Sequence, residues 1–359
     1  MKILLDNGLQ TARGTGIAAY SSYLADALAA LPDTEVVQED YTPRGGKIRR
    51  RLSYLRYLAS ARYRRKVAGF DVVHYTNYAM PKKLPEGVVS AVTIHDLAAF
   101  FHPETLPRLY AAYNRKMVRR AVKRADIVFT VSNTIAKEIT ARFPAAAEKI
   151  AVAYPGYYTG AVKESTPTSY ENEALQGLEK GKFFLLIGTL ETRKNLLECV
   201  RAYNTLQAIC PAARNYTLVL AGGHGRGADA IIDAVLQAPD TADIRVTGYA
   251  SDADRAKLLA EAKALVFPSL YEGFGSPQTE AMAAGLPMIL SDIPTNREVS
   301  GDLALYYPVG DADLLAKAME LTVLDMYAPN KAKYAARLAT FNWQTSAAKI
   351  RTVYSSKLQ

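Results

Sequence analysis

The feature that most constrains this chain is a repeated alternation of short, continuously apolar runs with longer stretches of helical periodicity. In the first half the apolar runs fall at 2–6, 71–77, 88–96, 125–133 and 149–156. In the second half they fall at 182–190, 216–223, 243–249, 264–270 and 286–292. Runs this apolar are buried on both faces, as in parallel sheets covered by helices. Between them, residues such as Ile17, Tyr20, Leu24, Leu28 and Leu31 recur at three- and four-residue spacing and form one apolar stripe. Two such sets predict two doubly wound α/β units. The break lies within 157–181, a polar stretch containing Pro167 and no strand pattern. The expected division is a Rossmann-like domain over 1–165 and a second over 166–341. A helix over 342–359 carries nearby Trp343, the only tryptophan, and is expected to pack back on the first domain.

Composition limits the function class. Of the 359 residues 49% are hydrophobic and 22% charged, which excludes a disordered or disulfide-stapled chain. No apolar run approaches the ~18 residues of a membrane span. The opening MKILLDNGLQ reads as a first strand, not a signal peptide. Cys199 and Cys210 lie eleven apart on one expected helix, which suits reduced thiols and a cytoplasmic chain.

Charge is distributed unevenly. Residues 1–165 hold 25 Lys/Arg against 14 Asp/Glu, whereas the rest of the chain holds 19 against 21. The segment 44–66 has ten basic residues and no acid, and 108–124 has seven basic residues. Leu52, Tyr54, Leu55, Tyr57, Leu58 and Tyr63 are interleaved with the arginines. That mixture predicts a surface helix whose leucines and tyrosines enter an anionic bilayer, with Arg49, Arg50, Arg51, Arg64 and Arg65 as the membrane or acceptor patch.

Three strand-to-helix junctions carry chemistry, each at the carboxyl end of a strand, where open α/β sheets bind ligands. In ARGTGIAAY (12–20), Gly14 and Gly16 allow close backbone approach to a phosphate at a helix N-terminus. In GTLETRKNLLECVRAY (188–203), Arg193 and Lys194 precede a helix whose positive dipole end disfavours them, so an anion such as a diphosphate is expected there. In VFPSLYEGFGSPQTEAMAAGLPMILSD (266–292), Glu272 and Glu280 bracket a Gly-Phe-Gly turn. A carboxylate near a helix N-terminus is suited to accept paired hydroxyls, as in dinucleotide folds. His74, His102 and His224 have no partner at metal-ligand spacing. Asp252-Ala-Asp254 and Asp311-Ala-Asp313 each precede an apolar helical run and read as helix caps and first-turn acids. No metal site is expected.

At these residues the sequence resembles the retaining, nucleotide-sugar-dependent family-4 glycosyltransferases of the GT-B fold, two doubly wound Rossmann-like domains facing across a cleft. EGFGSPQTE (272–280) matches the family's Glu-x7-Glu motif and GTLETRKN its donor-phosphate loop. AVTIHDLAAFFHPE (91–104) resembles its His-Asp segment, and NREVSGDLALYYP (296–308) its closing motif. The branch it looks closest to contains bacterial mannosyltransferases and rhamnosyltransferases of surface-polysaccharide assembly. The resemblance implies that the first domain is the acceptor side and the second binds the donor. It implies that Arg193 and Lys194 bind the donor diphosphate, that Glu280 accepts the ribose hydroxyls, and that Glu272 with Gly273, Phe274 and Gly275 holds the sugar. Gly14 and Gly16 would close on the diphosphate, Tyr249 would lie at the base, and His95 would face the donor sugar or the attacking hydroxyl. Thr189 stands where many relatives have arginine, and Ser276 where many have leucine.

What the resemblance implies is a metal-independent, front-face transfer with retained configuration and no cofactor. GDP-mannose is the first-choice donor, and a lipid-linked or growing saccharide is the acceptor. The enzyme would be peripheral on the inner face of the cytoplasmic membrane, and nucleic acid is not an expected partner. A nucleotide-sugar epimerase or hydrolase, a non-catalytic basic binding protein and a nucleic-acid binder are the alternatives.

Overall fold

A computed structural model describes residues 1–8, 16–157, 169–237 and 244–358, the side chains of Lys47 and Ile48 excepted. The chain divides into two compact units. The first comprises 1–103, 107–156 and 341–359, and the second comprises 104–106 and 157–340.

In the first unit, β1 (Lys2–Gly8), β2 (Glu35–Asp40), β3 (Val72–Tyr75), β4 (Val89–Ile94), β5 (Ile127–Thr130) and β6 (Ile150–Val152) form one sheet in the order β2-β1-β3-β4-β5-β6. Every neighbouring pair is parallel. In the second, β7 (Phe183–Ile187), β8 (Thr217–Ala221), β9 (Ile244–Gly248), β10 (Ala264–Phe267), β11 (Met288–Ser291) and β12 (Leu305–Tyr307) follow the order β12-β11-β10-β7-β8-β9, also parallel. The central strands are the apolar runs: Ile3 to Leu5, Val72, Val73 and Phe183 to Leu185 are fully buried. Strands β2 and β12 do not stand out as apolar runs. They lie at sheet edges, and β2 keeps half-exposed and exposed side chains along its whole length. Cys199 and Cys210 are free thiols buried in the second core.

The helix Trp343–Leu358 belongs to the first unit. Trp343 packs edge-on to Tyr20 at 5.5 Å and stacks on Tyr23 at 5.7 Å, both from the helix Gly16–Ala29. Gly156 is fixed by the same contact, because a Cβ there would sit 2.3 Å from the Trp343 ring. Further along, the Tyr354 hydroxyl lies 2.5 Å from Nδ1 of buried His74, whose Nε2 lies 2.7 Å from Thr93. Burial pushes the His74 imidazole down to about 3, so it is a neutral core residue.

The basic segment departs from its sequence reading. It forms two helices, Lys47–Leu58 and Ala61–Val67, but Tyr54, Leu58, Tyr63 and Val67 point into the first unit and not outward. The cause is Asp6, a buried carboxylate at the end of β1. It accepts hydrogen bonds from Tyr54 at 2.7 Å, Tyr63 at 2.5 Å and the Gly8 N–H at 2.9 Å. A buried carboxylate without such donors would be costly, so the phenols turn inward. Tyr57 bonds Glu39 and stacks on Tyr41 at 4.6 Å, and Lys66 also pairs with Glu39. Arg49, Arg64 and Arg65 remain exposed, whereas Arg50 and Arg51 are half-buried.

Burial raises the Asp6 carboxyl to about 6 from its ordinary 3.8, against the lowering effect of Tyr63, Tyr54 and the Gly8 N–H, with Glu39 adding to the rise. The folded protein therefore holds this proton more tightly than the unfolded chain. The stabilising contribution is complete below pH 3.8 and is lost as pH rises through about 6. Asp6→Asn removes that slope. Between acidic and neutral pH, the denaturation free energy of the variant should gain about 3 kcal/mol relative to wild type. Parallel pH–stability curves for the two proteins would refute this account of Asp6.

Candidate functional site

The order of the second sheet places β7 beside β10, and the chain winds outward from that pair in opposite directions. This is the switch point at which doubly wound sheets bind ligands, and the two strands deliver the segments 188–195 and 268–275 to it. The loop after β7 folds tightly over the loop after β8. A Cβ on Gly222 would lie 1.8 Å from the Gly188 carbonyl oxygen, so only glycine fits. Thr192 to Lys194 form one turn of 3₁₀-helix, and Asn195, at φ 54°, ends it before the helix Leu196–Ile209. The Leu270 N–H donates to the Arg193 carbonyl at 2.9 Å and fastens the two loops together.

The cations and the first acid of the motif meet directly. Lys194 Nζ lies 2.6 Å from Glu272 Oε1, and Arg193 Nη1 lies 3.1 Å from Glu272 Oε2. Arg193 also donates to the Tyr271 carbonyl at 2.6 Å and pairs with Glu191 at 2.8 Å, while Lys194 sits 4.8 Å from the Phe267 ring centre. Burial alone would raise the Glu272 carboxyl, but Lys194 and then Arg193 outweigh it and bring it down to about 2. Glu272 is thus ionised, and its two cations are held at fixed positions. The sequence argument called for an anion to hold Arg193 and Lys194; within the chain that anion is Glu272.

The turn that follows is set by Gly275, at φ 81°, where a Cβ would meet Gln278 Nε2 at 2.3 Å. It opens the helix Ser276–Ala284, whose second proline-initiated turn buries Glu280. Arg255, from the helix Asp252–Glu261, reaches Glu280 Oε2 with Nε at 2.7 Å and Nη2 at 2.5 Å. Burial raises the Glu280 pKa, and Arg255 opposes that without overcoming it. Arg255 is a site residue that sequence reasoning missed. Its only local signal is a base placed one turn into a helix with an acidic start.

A buried polar network braces the motif from below. Thr295 donates to the Glu272 carbonyl at 2.8 Å, Gln278 to Asn296 at 2.7 Å, Ser300 to Gln278 at 2.7 Å, and Asn296 to the Ser291 carbonyl at 2.9 Å. The segment 295–300 thereby supports the loop that carries Glu272 and the helix that follows it. Gly273 and Phe274 are buried, Thr189 is exposed, and Tyr249, just past β9, is 61% exposed.

Of the expected donor-site residues that the structure describes, Gly16 and His95 belong to the first unit. Gly16 opens the helix Gly16–Ala29, and Gly14 lies outside the described residues. His95 follows β4; its Nε2 lies 2.8 Å from the Thr76 carbonyl, and Tyr20 meets its ring edge-on at 4.8 Å. Burial lowers its pKa against the effects of that carbonyl and of Asp96, so the imidazole is neutral and Nε2–H donates to Thr76. Asp96 turns back to accept from the Ala98 N–H at 3.0 Å. The two Asp-x-Asp sequences occupy helix starts. Asp254 accepts from the backbone N–H groups of Glu171 and Asn172, and Asp311 caps Ala312–Val323 through the Leu314 N–H.

Comparison with known proteins agrees with this architecture. A Glycosyltransferase Family 4 model matches residues 15–160 and a group 1 glycosyl transferase model matches 171–339. O-antigen chain mannosyltransferase B of Escherichia coli is 31% identical over 68% of this chain and 63% of its own length. O-antigen chain mannosyltransferase RfbU of Salmonella typhimurium is 30% identical over 60% of this chain and 55% of its own, so the chain spans less than two thirds of either relative. Among solved structures, sucrose-phosphate synthase of Thermosynechococcus elongatus superposes with TM-score 0.76 at 19% identity, over 99% of both chains. Anabaena HepE, solved with UDP and glucose, superposes with TM-score 0.63 at 17% identity over 99% of this chain and 98% of its own. With one family model on each of two parallel, doubly wound units, the chain belongs to the family-4 glycosyltransferases of the GT-B fold.

Proposed function

We propose that the protein is a retaining hexosyltransferase that moves a sugar, mannose from GDP-mannose as first choice, onto a hydroxyl of a lipid-linked or growing surface polysaccharide. The observation that carries this reading is the pair Arg193 and Lys194, held on buried Glu272 at the switch point, with Glu280 one turn into the helix that follows. The O-antigen mannosyltransferases among its relatives support the choice of donor and acceptor class.

In this reading a donor diphosphate takes over Lys194 and Arg193 from Glu272, and the released Glu272 oxygens accept sugar hydroxyls. Glu280, steadied by Arg255, accepts the ribose hydroxyls, and Tyr249 borders the base. As the glycosidic bond to phosphate lengthens, the protein cations stabilise the leaving diphosphate, which in turn helps remove the acceptor proton. That division of labour needs neither a covalent glycosyl carboxylate nor a metal ion. His95 is neutral and its Nε2–H already serves Thr76, so its part is to orient a sugar and not to carry charge.

Because Lys194 neutralises a buried carboxylate, Lys194→Met should act on two quantities at once. Donor affinity by calorimetry should fall about tenfold or more, and stability should fall by about 3 kcal/mol through the exposed demand of Glu272. Lys194→Met with Glu272→Gln should recover most of the stability and none of the donor affinity. Equal donor affinity in wild type and the single variant would remove Lys194 from the site.

NMR of the product should show the donor's anomeric configuration, and transfer should continue in excess chelator. An inverted product would refute front-face transfer. Activity lost to EDTA and restored by Mg²⁺ or Mn²⁺ would refute metal independence.

No helix among the described residues is long and apolar enough to cross a membrane. We assign the protein to the cytoplasmic membrane face through exposed Arg49, Arg64 and Arg65, with Leu52 52% exposed beside them. Replacing those three arginines with glutamine should reduce sedimentation with anionic liposomes while sparing donor binding. Wild type that ignores such liposomes at low salt would overturn the membrane assignment.

A further inference from the structure

In the first sheet, β1 and β3 are neighbours and the chain winds outward from them in opposite directions, so this sheet too has a switch point. The residues just past β3 lead into a cluster that the reading above leaves unused. Tyr78 donates to the buried Asn114 side chain at 2.5 Å and lies 3.5 Å from the Tyr110 hydroxyl. Tyr110, Tyr113 and Asn114 sit within one turn of the helix Arg108–Arg124. The Tyr110 and Tyr113 rings are half-exposed, near-parallel at 17° and 6.5 Å apart. Arg51, from the helix Lys47–Leu58, lays its guanidinium 4.2 Å from the Tyr110 ring centre and 5.8 Å from that of Tyr113. Burial, and then Tyr110, raise the Tyr78 pKa, which keeps it a hydroxyl.

We propose that the face formed by Arg51, Tyr110 and Tyr113, backed by Tyr78 and Asn114, is a saccharide-binding subsite of the first unit that takes the acceptor sugar. This rests on the transferase reading and specifies where its acceptor is recognised. Aromatic rings cover the C–H face of a pyranose, while phenol, amide and guanidinium groups at their edges serve its hydroxyls. Arg51 and the Tyr78–Asn114 bond already hold the rings, so little side-chain freedom is lost on binding. A bilayer is the poorer partner for this face, since polar atoms are interleaved with the rings at hydrogen-bonding distance. The apolar residue at its margin, Leu109, is 87% exposed and points to solvent.

The test uses the whole chain and immobilised di- and trisaccharides of α-linked mannose, glucose and galactose, alongside thermal shift with nucleoside diphosphates. Wild type should be retained on at least one saccharide. Tyr110→Ala and Arg51→Gln should weaken that retention about tenfold, and Tyr113→Phe, which keeps the ring, should stay near wild type. The nucleoside-diphosphate shift should persist in all three, which also shows that they fold. Wild type retained on no saccharide, or Tyr110→Ala retained as wild type is, overturns the subsite and leaves the donor reading standing. Tyr110→Ala that loses anionic vesicles and keeps saccharides assigns the face to a membrane and overturns it as well. Absence of a nucleoside-diphosphate shift in wild type overturns the transferase reading itself.

Discussion

The ion cluster on Glu272 is the interaction around which the second unit is arranged. A carboxylate buried at a strand end is unfavourable by itself, and it is tolerable here because Lys194 and Arg193 reach it from the neighbouring loop. That reach demands the tight turn after β7, the glycine at 222 that lets the loops touch, and the Leu270–Arg193 backbone bond. It also demands a rigid floor, which Thr295, Asn296, Gln278 and Ser300 supply through buried hydrogen bonds. Removing any one of these leaves a charge or a polar group buried without its partner.

The first unit solves a similar problem with different chemistry. Asp6 also lies at the end of a strand beside the switch point, but phenols and one backbone N–H satisfy it instead of cations. The consequences differ in sign. Glu272 is held ionised far below neutrality, whereas Asp6 is pushed up toward it. Neutral donors offset only part of the desolvation at Asp6, whereas two cations outweigh it at Glu272. The same Asp6 requirement determines the orientation of the basic segment, since Tyr54 and Tyr63 cannot serve Asp6 and a bilayer at once.

How much of this was legible in the chain follows from which residues carry local signals. Strands buried on both faces announce themselves by continuous apolar runs, so the central strands and their order of alternation were readable. Strands β2 and β12 lack that signature, because β2 keeps half-exposed and exposed side chains along its length and β12 is three residues long with two of them half-buried. Arg193 and Lys194 were readable from their place before a helix, and Glu272 and Glu280 from the glycine turn between them, while only the family resemblance joined the four into one donor site. The Lys194–Glu272 pairing was not, because the partners are 78 residues apart and meet only when β7 and β10 become neighbours. Arg255 was missed for the same reason, being 25 residues from Glu280 with no motif to tie them. The inward turn of Tyr54 and Tyr63 depends on a carboxylate about fifty residues upstream, and within the segment itself the spacing of tyrosines and arginines looks like a membrane-facing helix.

The charge balance of the site bears on how such a site could act. Arg193 and Lys194 are matched by Glu191 and Glu272, so the cluster is formally neutral without a ligand. A site with two unmatched cations in a buried turn would be strained by their repulsion and by lost hydration. Here Glu272 removes that strain and fixes the ammonium and guanidinium groups in place. In the proposed reading an incoming diphosphate would exchange one set of oxygens for another around cations that Glu272 already holds in place. The reorganisation that water would otherwise require has been completed by folding, which is the condition under which fixed charges stabilise a leaving group most effectively. In the proposed reading the displaced carboxylate would lie beside the sugar with lone pairs to fill, so the residue that holds the cations would also serve as a hydroxyl acceptor.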